Sequence, residues 1–265
     1  MTEHNTSEDT VMTGRDGDLR RWFPHRRPGP PAHLRLLCFP PAGAGAAVYR
    51  DWARLLPSGV DVCAFELSGH QTRFNEPLAH AVDDVVAEFI AASAALRDRP
   101  YVLLGHSLGA MIATEAARAL CASGCGPTAL VAVGCPAPSA DIRNRAIADL
   151  DRQPFLEALV CLGGIEDEVL RNVELLDVLL PALRADCKMA EDWQAQAAAR
   201  FLDPLPCAIG AISGNADSFV TAAELDAWRR HGSKAIIIRR VEGHHFFLRS
   251  RPEPVAALVG ELSAS

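Results

Sequence analysis

The feature that most constrains this chain is Gly105-His106-Ser107-Leu108-Gly109, set between two contrasting segments. Before it, Tyr101-Val-Leu-Leu104 is a short apolar run that reads as a buried strand. After it, Leu108-Gly-Ala-Met-Ile-Ala-Thr-Glu-Ala-Ala-Arg-Ala-Leu-Cys-Ala122 is a run of strong helix formers. A strand that turns at once into a helix forces its middle residue into a strained conformation. Glycines on both sides let the backbones pass closely. Ser107 then stands at a helix N-terminus, where unpaired N–H groups and the helix dipole favour developing negative charge.

The rest of the chain fits one large α/β domain. Its 265 residues are 49% apolar and 6% aromatic, ample for a core, and the net charge of −7 argues against nucleic acid as a partner. No apolar run approaches the roughly 18–20 residues of a membrane span. The polar, acidic Met1–Thr10 is no signal peptide, which points to a cytoplasmic protein. Four of the eight cysteines (Cys38, Cys63, Cys135 and Cys207) fall in or beside apolar runs, where a free thiol acts as a small hydrophobe. With no C-x-x-C and no zinc spacing, no metal site is expected and the thiols read as reduced.

Residues 1–30 mix charge, Gly and Pro without period, as a disordered leader and extended entry segment would, leaving 31–265 as the folded domain. His33–Phe39 is the first strand, followed by the small-residue loop Pro40-Pro-Ala-Gly-Ala-Gly-Ala46. Tyr49–Leu56 reads as a short helix, Val60–Glu66 as a strand, Val82–Leu96 as a helix and Thr128–Gly134 as another buried strand. His70 and Arg73, in the loop after Glu66, are either substrate contacts or solvated loop residues. Strands alternating with helices mean βαβ units and a mainly parallel sheet flanked by helices. The alternation lapses from Pro136 to Arg200, where Val169–Leu183 and Arg184–Arg200 read as two amphipathic helices, the second beginning just after Pro181. Asp141–Asp192 carries twelve acidic against six basic residues. Removing 136–200 leaves the alternation intact, so it reads as a helical lid. The sheet resumes at Cys207–Ser213, Thr221 and Glu224 form a capping box, and Ala235–Val241 is the last strand.

G-x-S-x-G between strand and helix is the nucleophile elbow of the α/β-hydrolase fold, whose triad follows in the order Ser, acid, His on loops at the strands' carboxyl ends. The lid insertion then falls between strands six and seven of that fold. Ser107 follows one strand, Asp217 a later one, and His244-His245 the last. Serine is a weak nucleophile until a neutral imidazole takes its proton, and a carboxylate must fix the imidazole's tautomer. Asp141 follows the preceding strand and competes for the acid's role. Asp217 is preferred because its loop is short and its strand is adjacent to the His-bearing one. Position alone does not separate His244 from His245. The N–H groups of Ala42 and Leu108 are the expected oxyanion donors. The same machinery serves carboxylesterases and lipases on small esters.

Four motifs in order resemble the stand-alone type II thioesterases of polyketide and non-ribosomal peptide assembly lines, over about Leu36 to Leu248. Cys38-Phe-Pro-Pro-Ala-Gly43 with Tyr49-Arg-Asp-Trp52 is similar to F-P-x-A-G…Y-R-x-W, and Gly105–Ala110 to G-H-S-[ML]-G-A. Leu180-Pro-Ala-Leu-Arg-Ala-Asp186 resembles L-P-x-L-R-A-D, and Gly243-His-His-Phe-Phe-Leu248 resembles G-G-H-F-F-L. The resemblance implies that His245, before Phe-Phe, is the base and that Asp217 is the acid. The substrate-binding residues stay open, with His106, Phe246 and Phe247 as candidates. It implies a monomeric cytoplasmic enzyme without a cofactor that hydrolyses acyl groups from the phosphopantetheine thiol of acyl or peptidyl carrier proteins. Two loops depart from the family: Leu67-Ser68-Gly69-His70 stands for L-P-G-R, and Gly134-Cys135 lacks an Arg after Gly. Because carrier proteins are usually acidic, part of the basic set Arg229, Arg230, Lys234, Arg239, Arg240, Arg249 and Arg251 is expected to steer them.

Overall fold

A computed structural model describes residues 19–27, 32–140, 145–165, 167–200 and 203–263. Six strands form one sheet: β1 (Leu34–Phe39), β2 (Val60–Ala64), β3 (Tyr101–His106), β4 (Ala129–Val133), β5 (Ala208–Gly214) and β6 (Ile236–Val241). Their order is β2-β1-β3-β4-β5-β6 and all five pairings are parallel. Alternate residues feed two cores. Leu37 and Phe39 of β1 face one, with Leu103 of β3, while Leu36 and Cys38 face the other, with Val102 and Leu104. Both faces are covered, which is why these strands are apolar throughout rather than alternating.

The first face carries α1 (Val82–Ala92), α2 (Leu108–Ala122) and Trp228. The second carries the closing helix (Glu253–Ser263), together with Tyr49 and Trp52. The expected helix over Tyr49–Leu56 is instead two single 3-10 turns, Ala46–Tyr49 and Trp52–Arg54. The chain runs from β1 outward to β2 and then returns past β1 to β3. The sheet therefore reverses direction between β1 and β3, the place where open parallel sheets bind ligands.

Two boundaries differ from the sequence reading. The domain begins by Leu19, because Phe23 is buried and Trp22 stacks on Phe65 at 6.1 Å. A polar segment thus hides an apolar pair that docks on the core. Residues 1–18 and 28–31 lie outside the described residues. The insertion falls between the fourth and fifth of the six strands. The expected numbering presupposes two strands ahead of β1 that are not found among the described residues.

The insertion holds α3 (Arg152–Leu162), which the sequence reading missed, α4 (Asp167–Arg171) and α5 (Val173–Arg200). The expected pair of helices broken near Pro181 is one continuous 28-residue helix. Proline inside a helix costs about 3 kcal/mol through its missing N–H and ring clash. Here Pro181 faces solvent, and so does Asp177, whose carbonyl loses its intrahelical donor. On the opposite side Leu176, Leu180 and Leu183 pack with Phe155 and Leu159 into a small separate core. The burial of three leucines, about 1.5–3 kcal/mol each, offsets the proline. The far half of α5 belongs to the body: Met189, Trp193 and Ala197 join the main core, and Trp193 donates to Glu115 of α2 at 3.2 Å. The near half packs on α3, and Leu183, Cys187, Ala190 and Glu191, from the middle of the helix, form the roof of the cavity beside Ser107.

Candidate active site

Parallel register aligns the strands' carboxyl ends, pairing Phe39 with Gly105 and His106 with Val133. The loops after β1, β3, β5 and β6 therefore meet at one edge. Ser107 sits there with φ 55° and ψ −118°, a backbone conformation that costs a non-glycine residue about 1–3 kcal/mol. The flanking glycines are sterically required: a Cβ on Gly105 would strike the Gly109 carbonyl, and one on Gly109 would strike the Phe39 carbonyl. Leu108 is the first residue of α2, so its N–H has no partner within the helix.

Asp217 and His245 are brought together across 28 residues. His245 Nδ1 lies 3.0 Å from Asp217 Oδ2 and 3.2 Å from Oδ1. Asp217 is further held by Ser213 Oγ, which donates to Oδ2 at 3.1 Å. The backbone N–H groups of Phe219 (2.8 Å) and Val220 (3.2 Å) donate to Oδ1. Burial opposes its ionisation, yet the hydrogen bond from His245 and these donors hold its pKa below the usual carboxylate value. His244, the other candidate base, is exposed, with Nδ1 near the Ala216 carbonyl at 3.3 Å. Asp141, the other candidate acid, lies outside the described residues.

The candidate contacts separate. Phe246 lines the cavity beside Ser107 and packs edge-on to His245 at 4.9 Å. Phe247 is buried in the second core instead. His106 lies behind His245: burial pushes its pKa down to about 3, so it is neutral, and its Nε2–H donates to the His245 carbonyl at 3.0 Å. It fixes the backbone of His245 rather than touching the cavity. Gly134 completes the nest. At φ +55°, a Cβ there would lie 3.2 Å from His106 Nε2 and 3.3 Å from His245 Cε1. Gly134→Ala is expected to cost about 1–2 kcal/mol of stability and to displace His245. Urea unfolding together with kcat checks this.

A cavity of about 300 Å³ opens over these groups, lined by Ala42, Ser107, Leu108 and His245 below and by Leu159 and Leu183 from the insertion above. At its far side stand Arg145, paired with Glu224, and Glu191, whose Oε1 accepts from the N–H groups of Ile147 and Ala148. The loop between β1 and its first turn is pinned by side chains: Gly43 N–H to Asp186, Ala46 N–H to Glu66, and Ala47 N–H to Gln71. The sequence reading missed the Asp186 contact, which spans 143 residues. His70 and Arg73 are buried, 6% and 3% exposed, and neither lines the cavity. Arg73 is bound to Glu76 and Glu88 and stacks on Trp22 at 4.1 Å. Local sequence carried no sign of these partners.

Residues 34–263 match the family model described as the thioesterase domain. The chain belongs to the thioesterase family. Among curated relatives, this thioesterase is 35% identical to "Linear gramicidin dehydrogenase LgrE" of Brevibacillus parabrevis, over 90% of this chain and 91% of that protein. It is 32% identical to "Thioesterase PikA5" of Streptomyces venezuelae, over 88% of this chain and 82% of that one. Among solved structures, the type II thioesterase BorB from the borrelidin biosynthetic cluster superposes with a TM-score of 0.79 at 30% identity, covering 91% of this thioesterase and 97% of BorB.

None of the eight cysteines of the thioesterase is disulfide-bonded. Cys135 is fully buried, which raises its thiol pKa, and its carbonyl accepts from Trp228 Nε1 at 3.0 Å. Among the described residues no helix is long and apolar enough to cross a membrane.

Proposed function

We propose that this thioesterase hydrolyses acyl groups from the phosphopantetheine thiol of acyl or peptidyl carrier proteins in a polyketide or non-ribosomal peptide assembly line. The observation that carries the reading is the apolar cavity built directly over Ser107 and His245 in a chain of this family. Ser107 Oγ attacks the thioester carbonyl while His245 takes its proton, with Asp217 holding the imidazole in the right tautomer. The N–H groups of Ala42 and Leu108 receive the oxyanion, worth roughly 3–4 kcal/mol per donor in comparable sites. His245 then protonates the departing thiol, and the acyl group remains as an ester on Ser107. Water, activated by the same imidazole, releases the acid and restores the serine. These residues supply the nucleophile, the base and the acid, so the reaction needs no cofactor. The protein acts as a cytoplasmic monomer.

The cavity volume lies at the lower end of the range for ligand pockets, which favours short to medium apolar chains. A series of acyl chains loaded on a carrier protein, followed by intact mass, tests this. Release is expected to peak at short to medium chains, with kcat/KM above that on p-nitrophenyl esters of the same acids. Faster turnover of the free esters makes the protein a carboxylesterase instead.

The name of LgrE carries a different activity. A dinucleotide site needs G-x-G-x-x-G opening a helix after the first strand. Here Gly43-x-Gly45 precedes a single 3-10 turn, with Val48 at the third glycine's place, so this reading finds no support. The basic set expected to steer the carrier is partly neutralised: Arg229 pairs with Asp226, Arg239 with Glu261 and Arg251 with Glu242. Arg249 lies over Phe246 at 4.6 Å, beside the cavity.

A further inference from the structure

The loop that bears Ala42 is tied to the roof by one buried carboxylate. Asp186 Oδ2 accepts from the Gly43 N–H at 2.8 Å and lies 2.9 Å from His70 Nε2. His70 Nδ1 lies 3.0 Å from the Ser68 carbonyl. A carbonyl and a carboxylate only accept, so both ring nitrogens carry protons and His70 is an imidazolium. Burial disfavours that charge, but the bond to Asp186 prevails and raises the His70 pKa. The two side chains are 5% and 3% exposed.

Glu66, after β2, also faces His70; burial pushes its carboxyl up to about 7, and its Oε1 receives the Ala46 N–H. Arg73, on the same turn as His70, is engaged by Glu76 and Glu88. From α5 the group that reaches His70 is Asp186 itself. Leu183, one turn earlier on α5, closes over Gly43, whose φ is +72°.

We propose that Asp186 is a positioning residue: through it the roof helix sets the peptide that presents the Ala42 N–H to the oxyanion, and His70 is the counter-charge that keeps Asp186 aimed at Gly43. This rests on the reading of Ala42 as an oxyanion donor. Seating the roof and setting the donor are then one event. A displacement of about 1 Å in such a group can cost a hundredfold in rate. Deprotonation of His70 removes one of its two donors, so the tie is complete below about pH 6.5 and weakens as pH rises through the raised pKa.

The test reads two rates across about pH 6 to about pH 10: phosphonylation of Ser107 by a fluorophosphonate, which needs the oxyanion donors but no carrier, and hydrolysis of a hexanoyl-carrier protein. Asp186→Ala is expected to lower both the labelling rate and kcat by roughly ten- to a hundredfold with KM unchanged. Asp186→Asn keeps an acceptor for the Gly43 N–H and is expected to recover most of the labelling rate. His70→Arg keeps a cation and is expected to abolish the alkaline decline of labelling seen in the wild type. Wild-type labelling by Asp186→Ala overturns the proposal. So does an equal loss in the Ala and Asn variants accompanied by a lowered Tm, or a decline with pH that His70→Arg leaves in place. A wild type that is labelled but leaves acyl-carrier protein intact refutes the carrier-thioesterase reading alone, and the labelling ratios still decide the role of Asp186.

Discussion

Ser107→Ala is expected to abolish acyl release from carrier protein, with a fall in kcat of roughly 10⁵–10⁶ and complete loss of fluorophosphonate labelling. The loss is large because no neighbouring group can substitute. The elbow holds one side chain above the sheet edge, and the backbone there has φ 55° and ψ −118° for this residue alone to carry. Alanine has the same difficulty as serine with that conformation, so Ser107→Ala should leave Tm nearly unchanged. Ser107→Gly removes both the nucleophile and the strain, and is expected to raise stability by about 1 kcal/mol while being equally inactive. Single-turnover hydrolysis by intact mass and thermal unfolding measure the two effects separately. Turnover near the wild-type rate in either variant would sink the assignment.

Asp217→Asn should be the second-largest effect, a loss of about 10³–10⁴ in kcat with folding intact. The surroundings dictate how the amide must lie. The N–H groups of Phe219 and Val220 both point at the Oδ1 position and demand an oxygen there. The amide nitrogen is therefore forced into the Oδ2 position, 3.0 Å from His245 Nδ1. There it donates, so Nδ1 must accept and the ring's proton moves to Nε2, where it blocks uptake of the serine proton. Steady-state kinetics at neutral pH measure the loss; a variant within tenfold of wild type argues that another acid serves. A stability effect accompanies it. The folded-state pKa of Asp217 lies below its unfolded value, so ionised Asp217 contributes stability above about pH 3.8, and that contribution disappears as pH falls through the depressed pKa. Asp217→Asn should flatten the acid side of the stability profile accordingly.

Much of this molecule was legible in the sequence because the signals were local or periodic. Tyr101–Leu104, the elbow glycines and the helix after them all lie within one continuous segment, and the structure keeps them as β3, a strained turn and α2. The order of Ser107, Asp217 and His245 survives as proximity because a parallel sheet sends every crossover back to the same edge. What escaped reading depends on partners far along the chain. His70 looked like a loop residue until Asp186, 116 positions later, supplied its counter-charge. Arg73 looked solvated until Glu88 and the ring of Trp22 enclosed it. Pro181 read as a helix break because its local cost is evident, whereas the leucines that offset it act only once Phe155 and Leu159 lie opposite.

The continuous course of α5 through Pro181 also bears on how the ceiling of the cavity can move. One rod of about 42 Å packs on the sheet body at its far end and on α3 at its near end, and its middle, Leu183 to Glu191, spans the cavity above Ser107. It is softest at the turn where the Asp177 carbonyl lacks a donor. A bend there displaces Leu176 and, through their shared small core, Leu159 of α3, which lines the cavity, while Leu183 and Asp186 keep their places over Gly43. The ceiling height is thus adjustable without disturbing the charges that hold the reactive edge.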